Sequence, residues 1–458
     1  MISPPDGGPN AGEENLQAND RHWPNLPAMF FDQVDRHGDR PFLWKKRDGV
    51  YKPLSWGDTA ARVTPLARGL VGLGVEKGDR VVLLSENRPA WLIADMAIMS
   101  IGAVTVPAYT TCTQNDYLHI LRDSGAKGAI VSGRELSRKL LPAAHSAGTA
   151  KFVVCMEPPG LAQELNVEVL TIDDLIARGR ESHLNVVEMA GGRQPDDTAC
   201  IIYTSGTGGA PKGVMLTHRN LLSNCAGARD ALAALGERNH VFLSFLPLSH
   251  SYEHMAGQFF PISIGAEIYY AEGAETLAAN MVEARPTMMT AVPRLYETLY
   301  QRITLNVRKA GGLKEKMFNR AVQLGIRRFQ APESLSPGDR IQDWLLDRLV
   351  RGKVKRRFGG RLMALVSGGA PLNPDIGLFF TALGLRILQG YGQTETSPSV
   401  SVNRPHGFKL HTVGPPLKGV QVRIADDGEI LVKGELVMKG YWNNEAATRE
   451  TIRDGWVH

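Results

Sequence analysis

The chain has 458 residues, too many for one simple hydrophobic core, so we expect two or three packed subdomains. Its 52 basic and 47 acidic residues leave a formal net charge of +5, too weak a balance to indicate a nucleic-acid-binding protein. The four cysteines are scattered without a C-x-x-C pair, which argues against a disulfide or zinc framework and is typical of reduced thiols in a cytoplasmic protein.

The first residues and the apolar stretches bear on targeting. Residues 1–22 are polar, carry Gly and Pro and lack an apolar core, so we expect a disordered tail and neither a signal peptide nor a membrane anchor. The most apolar stretch, residues 91–108, is interrupted by Asp95 and Pro107, and no uninterrupted apolar run is long enough to span a bilayer. The sequence therefore predicts a cytoplasmic protein.

Predicted strands and helices alternate over residues 23–400. An amphipathic helix over 25–36 precedes a hairpin that turns at Arg47-Asp-Gly, and Ser55 is placed to cap the next helix. Two further helices are predicted at 89–101 and 114–123, and strands are predicted at 80–84, 103–106, 128–131, 152–155, 198–204, 241–245, 267–270, 287–290, 362–366 and 385–388. From residue 401 the segments shorten and turn at Asp426-Asp-Gly. The predicted fold class is α/β: two helix-covered, mainly parallel sheet subdomains plus a small β-subdomain over 401–458.

A loop rich in Gly, Ser and Thr follows the predicted strand at 198–204. Residues 203–213 read Tyr-Thr-Ser-Gly-Thr-Gly-Gly-Ala-Pro-Lys-Gly, and a helix-compatible stretch follows over 214–233, with Thr217 placed as its N-cap. Glycine lets backbone N–H groups approach an anion, the hydroxyls add donors, and Lys212 supplies a full positive charge. This is the chemistry of holding a polyphosphate, although the spacing is not G-x-x-x-x-G-K-[ST]. A surface turn with an ordinary lysine is the alternative interpretation.

Two later stretches also follow predicted strands. In residues 367–372 (Ser-Gly-Gly-Ala-Pro-Leu) the glycines let a planar ring approach the backbone. In residues 389–396 (Gln-Gly-Tyr-Gly-Gln-Thr-Glu-Thr), Tyr391 offers a flat face for a purine, Thr394 a hydroxyl for an α-phosphate and Glu395 an oxygen for Mg²⁺. The alternative for either stretch is a plain turn between a strand and a helix.

A histidine-bearing stretch follows the predicted strand at 241–245. Residues 246–254 read Leu-Pro-Leu-Ser-His-Ser-Tyr-Glu-His, and ligand sites of α/β proteins form at such strand ends. The apolar segment over 255–264 contains Gly257 and is followed by Gly265, and small residues beside apolar ones leave room for an acyl chain. Ordinary packing explains the same residues.

From about Trp23 to its last residue the sequence resembles the adenylate-forming superfamily, which contains acyl-CoA synthetases, firefly-type luciferases and peptide-synthetase adenylation domains. The loop at 203–213 resembles the superfamily's phosphate loop, with Gly208 where members usually have Thr, and residues 389–396 resemble its adenine and magnesium motif. Residues 286–297 and the basic helical stretch after them look like the long-chain fatty acyl-CoA synthetase branch.

The resemblance implies a role for each motif. It implies that the nucleotide site lies within residues 196–400, that Glu395 is the Mg²⁺ ligand, and that the catalytic residues are Lys212, Thr204, Glu395 and His250. The implied nucleotide-binding residues are Thr204, Ser205, Gly206, Thr207, Gly208, Gly209, Lys212, Gly368, Gly369, Ala370, Gln389, Gly390, Tyr391, Gly392 and Thr394. The implied acyl pocket, with Tyr252 and His254 as candidates for gating it, comprises His250, Tyr252, His254, Met255, Gly257 and Gly265.

The implied activity is that of a long-chain fatty acid–CoA ligase. A fatty carboxylate attacks the α-phosphate of ATP to give acyl-adenylate and pyrophosphate, and the thiol of coenzyme A then attacks the acyl carbon and releases AMP. The implied cofactors and co-substrates are ATP, Mg²⁺ and coenzyme A, and no nucleic-acid partner is expected. Two alternatives stay open: a fatty acyl-AMP ligase that delivers to a carrier protein, and a non-catalytic acyl- or nucleotide-binding protein.

The resemblance extends to residues 434–442 and 455–458, which look like a β-subdomain motif and the start of the next one. Superfamily members continue with Thr-Gly-Asp, whose Asp holds the ribose hydroxyls, then a hinge and a C-terminal lid domain with an adenylation lysine. These are missing from a sequence that stops at His458. We therefore expect residues 1–458 alone to bind ATP poorly and turn over slowly.

A stretch rich in Lys and Arg, residues 304–361, stands apart and contains the run Arg351, Lys353, Lys355, Arg356 and Arg357. One interpretation is a basic face for an anionic membrane surface or for the phosphates of a large cofactor. The other is a solvated helical face. Peripheral association with the inner membrane face therefore stays open, as does the oligomeric state.

Overall fold

Two large mixed sheets and one small antiparallel sheet organise the protein. The computed structural model describes residues 22–159, 166–204, 210–236 and 239–458. Its strands are β1 (Pro41–Arg47), β2 (Val50–Ser55), β3 (Arg80–Leu84), β4 (Val104–Pro107), β5 (Gly128–Val131), β6 (Phe152–Cys155), β7 (Glu168–Thr171), β8 (Thr198–Thr204), β9 (Lys212–Thr217), β10 (Val241–Ser244), β11 (Glu267–Tyr270), β12 (Met288–Ala291), β13 (Ala364–Ser367), β14 (Ile387–Gly392), β15 (Ser399–Val402), β16 (Gln421–Ile424), β17 (Ile430–Lys433), β18 (Gly440–Tyr441), β19 (Ile452–Arg453) and β20 (Trp456–Val457).

The helices cover both large sheets. They are α1 (Leu26–His37), α2 (Trp56–Gly72), α3 (Pro89–Ser100), α4 (Gln114–Ser124), α5 (Arg134–Ala147), α6 (Ile172–Arg180), α7 (Val186–Gly191), α8 (His218–Leu232), α9 (Ser251–Glu253), α10 (Phe260–Ser263), α11 (Leu277–Ala284), α12 (Pro293–Ala310), α13 (Gly312–Gln330), α14 (Pro337–Leu346), α15 (Gly352–Arg357), α16 (Pro374–Ala382) and α17 (Glu445–Thr451). Two π-helical segments, His254–Phe259 and Asp347–Arg351, join α9 to α10 and α14 to α15. None of the described helices is both long and apolar enough to cross a membrane.

Parallel strands form the centre of sheet A and, in sheet B, continue from β8 to the edge strand β7. Sheet A runs β15-β14-β13-β12-β10-β11-β1-β2 and sheet B runs β18-β9-β8-β4-β3-β5-β6-β7. In sheet A only the pairs β1–β2 and β14–β15 are antiparallel, and in sheet B only β8–β9 and β9–β18 are. The carboxyl ends of the parallel strands of a sheet therefore lie along one edge, which is where α/β proteins build their ligand sites.

Alternating side chains of the strands enter different hydrophobic layers. In sheet A, Phe242 and Met288 point into a core that also contains α1, α2, α3 and α8 and reaches sheet B. Leu243 and Met289 point to the opposite face, where α11, α12, α13 and α16 cover the sheet. The far face of sheet B is covered by α4 and α5. The molecule is therefore layered as helix, sheet, helix, sheet, helix, as expected of near-continuous apolar strands buried on both faces.

Most predicted elements are confirmed, because their local signals agree with the tertiary structure. The α/β class, the hairpin at Asp48-Gly49 and the strands of both sheets form where the sequence predicts them, within a few residues. Ser55 and Thr217 both cap their helices with a reciprocal capping box, with Asp58 and Asn220 as their partners.

Two boundaries differ from the sequence predictions. Residues 214–217 belong to the stretch 214–233 that the sequence indicated as helix-compatible, but they form the last four residues of β9, because they pair with β8. The small sheet begins at Gln421, since β15 (Ser399–Val402) hydrogen bonds to β14 in sheet A, and β18 hydrogen bonds to β9 in sheet B. The small sheet itself has the order β16-β17-β20-β19. The predicted tail at 1–22 lies, except for His22, outside the described residues.

The basic stretch at 304–361 forms the helical insert, comprising the end of α12, α13, α14 and α15. Arg351 contradicts the prediction of a uniformly solvated or membrane-facing basic run, because its side chain is fully buried. Its guanidinium donates hydrogen bonds to the carbonyl oxygens of Ala382 (2.7 Å) and Ala321 (2.6 Å) and to the Asp343 carboxylate (2.6 Å). Arg351 therefore ties the insert to α16 as an internal cross-link.

We expect Arg351→Met to destabilise the fold, because four acceptor atoms lose a buried charged donor while the Asp343 carboxylate keeps its partner Arg328. Removing one member of a buried ion pair costs about 3–5 kcal/mol of unfolding free energy. Urea denaturation followed by circular dichroism measures the change. Arg356→Met, at an exposed position of α15, serves as the matched control and should shift the midpoint little. Equal shifts for both variants would show that Arg351 is not a cross-link.

Candidate active site

The loop predicted to hold a polyphosphate joins two paired strands. Thr204 ends β8 and lies opposite Lys212, the first residue of β9, so the loop closes an antiparallel hairpin. The five loop residues predicted to bind nucleotide lie outside the described residues, and their role stays a prediction: Ser205, Gly206, Thr207, Gly208 and Gly209.

A third strand brings a tyrosine against this hairpin. β18 pairs with β9 so that Tyr441 lies opposite Val214, and the backbone N–H of Trp442 donates to the carbonyl of Gly213 at 2.7 Å. The Nζ atom of Lys212 lies 5.0 Å from the centroid of the Tyr441 ring, within the range of a cation–π contact. The sequence analysis singled out the motif at 434–442 but gave Tyr441 no role.

Tyr441 also connects Lys212 to Glu395. The Tyr441 hydroxyl donates a hydrogen bond to Oε1 of Glu395 at 2.8 Å. Burial and, next, this hydrogen bond raise the pKa of Tyr441 to about 12, so the hydroxyl stays protonated and remains a donor at neutral pH. The predicted cation and the predicted metal-binding carboxylate thus flank one ring.

Thr394 lies in the same short turn as Glu395 and faces the histidine-bearing stretch. Its hydroxyl is 3.1 Å from the hydroxyl of Ser251. Asn224 of α8 holds the start of the strand that follows this turn. Its side-chain amide donates to the carbonyl of Ser399 (3.0 Å) and accepts from the backbone N–H of the same residue (3.0 Å). Ser251 was missed as a site residue, since nothing in its local sequence distinguishes it from a helix-start serine.

A cavity of about 720 Å³ adjoins this turn. Gly369 and Ala370 form one wall, and Gln389, Gly390, Tyr391 and Gly392 form another, so two separately predicted motifs meet here. The third wall is the segment 410–414, which carried no recognisable pattern and was missed. It is held in place by Gln389, whose amide accepts from the N–H of Leu372 (3.0 Å) and donates to the carbonyl of Leu410 (2.6 Å).

The glycines around the cavity differ in what they do. Gly369 has φ +81°, a left-handed conformation that favours glycine and turns the chain into the cavity wall. Gly368 does not line the cavity, because its backbone packs against the ring of Tyr252, where an added Cβ would lie 3.2 Å from two ring carbons. Gly368 is therefore not positioned to contact a ring bound in this cavity.

An apolar cavity lies on the inner side of sheet A, between α8, the π-helical segment and β12. Of the six predicted acyl-pocket residues, Tyr252 and Met255 line it. Its volume is about 40 Å³, which is enough for one or two water molecules. Part of its wall is adaptable, because Met255 and Met288 carry flexible thioethers.

The other four predicted pocket residues do not line this cavity. His254 points to the opposite side of its helix and hydrogen bonds Asp95 of α3 at 2.9 Å. The absent side chain of Gly257 leaves space for the carboxyl group of Glu253, and Gly265 has φ +65° in the turn that ends α10. The local sequence did not show which of these residues face the cavity. Side chains point in several directions around a helix axis, and the tertiary packing decides which of them meet the cavity. Nor is Tyr252 free to gate the cavity, since its hydroxyl donates to the carbonyl of Val366 at 2.9 Å.

His250 lies at the junction of these features. Its Nδ1 accepts a hydrogen bond from the backbone N–H of Tyr252 at 3.1 Å, so that a neutral ring carries its proton on Nε2. The surrounding protein partly desolvates the ring and lowers the pKa of His250, although one side of the ring is open to solvent. At neutral pH the ring is therefore uncharged and presents an N–H donor.

A polar cavity of about 520 Å³ lies against the same stretch, lined by Pro247 and Ser249. Arg88 and Lys46 also line it, and both are ion-paired, Arg88 with Glu86 (3.0 Å) and Lys46 with Glu272 (3.2 Å). The pKa of Lys45, a third cation of this cavity, is lowered by burial and by nearby Arg88. The stretch 247–251 thus separates a polar cavity from the turn that carries Thr394.

The described residues offer one carboxylate at the centre of the site. Across the described ranges, no three His, Cys, Asp or Glu side chains converge as a metal site. Mg²⁺ in nucleotide sites needs only one or two carboxylates, because phosphate oxygens and water complete its shell. Glu395 fits that requirement.

A buried acid next to the site makes the stability depend on pH. Burial raises the pKa of Glu253 to about 7, an effect that hydrogen bonds from Thr290 and Ser244 only partly oppose. The folded protein therefore binds a proton between pH 4.5 and 7 that the unfolded chain releases, so this group stabilises the fold at low pH and ceases to do so above pH 7.

We expect Glu253→Gln to remove this dependence, because Gln mimics the protonated acid. Relative to the variant, the wild type should lose roughly 2–3 kcal/mol of unfolding free energy between pH 5 and pH 8. Urea denaturation at both pH values measures it, and Glu275→Gln, at an exposed position, should follow the wild type. A constant difference between wild type and Glu253→Gln would contradict the shifted pKa.

The chain is similar to known proteins over most of its length. The long-chain-fatty-acid–CoA ligase FadD15 of Mycobacterium bovis is 34% identical over 442 residues, covering 94% of this chain and 71% of that protein. The peroxisomal long chain acyl-CoA synthetase 6 of Arabidopsis thaliana is 34% identical over 432 residues, covering 90% of this chain and 60% of its own length. The crystal structure of the N-terminal domain of FACL13 from Mycobacterium tuberculosis superposes with a TM-score of 0.69 at 21% identity, covering 95% of each chain, and shows the same fold.

A family model for AMP-binding enzymes matches residues 30–442, which include every strand and loop of the site described above. The hairpin at Lys212, the turn at Thr394–Glu395 and the cavity beside Tyr391 all lie within the matched range. The chain belongs to the AMP-binding enzyme family.

Proposed function

We propose that this protein is a long-chain fatty acid–CoA ligase. The carboxylate oxygen of a fatty acid attacks the α-phosphorus of ATP, the bond to pyrophosphate breaks, and acyl-adenylate forms. The sulfur of coenzyme A then attacks the acyl carbon, the bond to the AMP oxygen breaks, and the thiol proton is released. The observation that carries the proposal is the Lys212–Tyr441–Glu395 contact, which sets a cation and a carboxylate beside a nucleotide-sized cavity.

The nucleotide base belongs in the cavity of about 720 Å³. Tyr391 supplies an aromatic face, Ala370 and Gly369 line one wall, and the segment 410–414 closes the other side. From Tyr391 the chain reaches Thr394 and Glu395 within one short turn, so a base in this cavity directs its phosphates toward the hairpin that ends in Lys212. Similarity to the FadD15 ligase supports the choice of ATP as the nucleotide.

The charges of the site suit a leaving pyrophosphate. Lys212 provides a cation at the end of the hairpin, and Thr394 and Ser251 provide hydroxyl donors for the α-phosphate or the carboxylate. Mg²⁺ bound by Glu395 would neutralise phosphate charge. The oriented hydroxyl of Tyr441 holds the Glu395 carboxylate in one position, and such preorganised groups lower the barrier because they need not reorganise during the reaction.

The fatty chain belongs in the apolar cavity on the inner side of sheet A. The cavity is small in the structure described, so a long chain must displace the methionine side chains that line it. Tyr252 and Val366 line the cavity, and Tyr252 directly follows Ser251, which contacts Thr394. A carboxylate at the turn that carries Thr394 therefore has its hydrocarbon chain directed inward.

His250 is placed to act on the acyl carbonyl in the second step. Because Nδ1 is occupied by the N–H of Tyr252, the Nε2–H group is a donor for the oxygen that becomes negative during thiol attack. The polar cavity behind Ser249 offers the acceptor thiol an approach from the other side of the stretch. A phosphopantetheinyl carrier protein is the alternative acceptor, and a direct comparison of free coenzyme A with such a protein separates the two.

We also infer peripheral contact with a lipid surface through the insert. One face of α14 exposes Ile341, Trp344 and Leu345, at 65, 54 and 45% of their full accessible area, and Arg348 lies 4.3 Å from the Trp344 ring. An exposed Trp and aliphatic residues beside arginines are typical of helices that lie in a membrane interface.

Tyr441→Phe tests the proposed role of Glu395 as the Mg²⁺ ligand. The variant keeps the ring beneath Lys212 and loses only the hydroxyl that orients Glu395. Since the site is partly exposed, we expect the activation free energy to rise by about 1 kcal/mol, which is a roughly fivefold loss of ATP–pyrophosphate exchange with palmitate. The Mg²⁺ concentration at half-maximal rate should also rise.

Tyr300→Phe removes a hydroxyl on the outer face of sheet A and should leave both quantities unchanged. The ratio is measured between variants of the same 458-residue polypeptide, so it does not depend on the absolute rate of turnover. An unaltered Mg²⁺ dependence in Tyr441→Phe would refute the role of this hydrogen bond.

The placement of the acyl chain predicts a selective effect of Ala228→Phe. Ala228 of α8 lines the apolar cavity, and a phenyl ring there fills it. We expect exchange with palmitate to fall about tenfold or more while exchange with octanoate falls less, because the shorter chain needs less of the cavity. Ala226→Phe, at an exposed position of the same helix, is the matched control. Equal losses with both acids would indicate damage to the fold and not a blocked acyl chain.

A further inference from the structure

A second, larger apolar groove lies in the insert, on the outer face of sheet A. It is formed by α11, α12, α13 and the helical run from the second π-helical segment into α15, and its volume is about 420 Å³. That volume is within the range of small-molecule sites, about 300–1,000 Å³. The site described above does not include any of its residues.

The groove is separate from the cavity assigned to the reacting acyl chain. Its floor is formed by Met281, Phe318 and Phe358, which belong to the core on the outer face of sheet A. The reacting-chain cavity is lined by Phe242 and Met288, which belong to the core on the inner face. The sheet lies between them, so one ligand cannot extend from one to the other without crossing it.

The lining of the groove is apolar and its rim is cationic. Leu299, Ile303, Val307, Met317, Val350 and Val354 supply half-buried hydrocarbon walls. Four cations stand around this hydrocarbon, and no Asp or Glu is among the described lining residues: Arg302, Lys314, Lys353 and Arg357.

The rim cations have no acidic partner among the described residues, whereas five other cations of the insert are ion-paired. Arg320 pairs with Asp339 (2.6 Å), Arg328 with Asp343 (2.8 Å) and Lys355 with Asp347 (3.7 Å). None of the four rim cations forms an ion pair within the part of the chain that the structure describes. Unpaired like charges around an apolar groove repel one another, and a bound anion relieves that repulsion.

We propose that this groove is a second, non-catalytic binding site for a long-chain fatty carboxylate. The hydrocarbon chain replaces water against the apolar walls, and the carboxylate lies among the four rim cations. The ligand chemistry follows from the groove itself: a long apolar body with one anionic end. The proposal does not depend on the reaction, since none of its residues belongs to the catalytic site.

The test is calorimetric titration of the 458-residue protein with palmitate in the absence of ATP. We expect about two equivalents to bind the wild type, one at each site. Lys353→Glu combined with Arg357→Glu should weaken the groove equivalent about tenfold and leave ATP–pyrophosphate exchange intact, whereas Ala228→Phe should remove the other equivalent. Octanoate should bind the groove far more weakly than palmitate, because each buried methylene strengthens binding about fourfold.

The matched control is Lys309→Glu combined with Arg356→Glu, which makes the same change of charge at exposed positions outside the groove. It should bind palmitate as the wild type does. Palmitate binding by the rim pair that matches the wild type, or equal weakening by the rim pair and the control pair, would overturn the proposal.

Two further measurements distinguish a fatty carboxylate from other occupants of the groove. If palmitoyl-CoA displaces palmitate from the groove at a tenfold lower concentration, the occupant is an acyl-CoA and the fatty carboxylate is rejected. If the rim pair loses binding to anionic phospholipid vesicles but keeps both palmitate equivalents, the groove is a membrane contact and the proposal also fails. Unchanged vesicle binding with the loss of one palmitate equivalent supports it.

Discussion

The site depends on one short stretch of backbone pairing, that of Gly440–Tyr441 with β9. Residues more than 200 positions apart are joined by it, and the register places Tyr441 opposite Val214. Because side chains alternate along a strand, a slip of one residue would turn the Tyr441 ring to the other face of the sheet and separate Lys212 from Glu395. The register is held from both sides. Asn220 of α8 bonds the carbonyls of Glu435 and Val437, and the indole N–H of Trp442 donates to the carbonyl of Asp123.

The two large sheets give the site one polar surface and one apolar surface. Polar loops leave the carboxyl ends of β10, β13 and β14 together, which brings the Ser251 hydroxyl to Thr394 and closes the nucleotide cavity. The layer between the sheets is apolar, and its small cavity begins directly behind Tyr252. A substrate with a charged end and a hydrocarbon chain matches that change from polar edge to apolar interior.

Local signals predicted the fold well, because they act within the elements that they specify. Capping residues such as Thr217 and the apolar runs of the parallel strands act over a few residues, so the sequence reveals them directly. Residues 214–217 form a strand in a stretch that the sequence showed only as helix-compatible, because this strand depends on pairing with β8 and β18, partners that composition does not show.

Contacts between distant residues could not be predicted from the sequence. The role of Tyr441 and the cavity wall at 410–414 arise only when segments from different sheets meet. His254 was predicted to belong to the acyl pocket, but the helix directs its side chain to Asp95. Arg351 belongs to a run of basic residues, and only the packing of α16 shows that it is buried.

The central claim is that a nucleotide binds with its base in the cavity beside Tyr391 and its phosphates between Lys212 and Glu395. A crystal structure of the protein with Mg²⁺ and a non-hydrolysable ATP analogue tests this most directly. We expect the purine between the Gly369–Ala370 wall and residues 410–414, and phosphate oxygens within hydrogen-bonding distance of Lys212 and Thr394. A nucleotide bound in another cavity, or phosphates distant from the hairpin at Lys212, would contradict it.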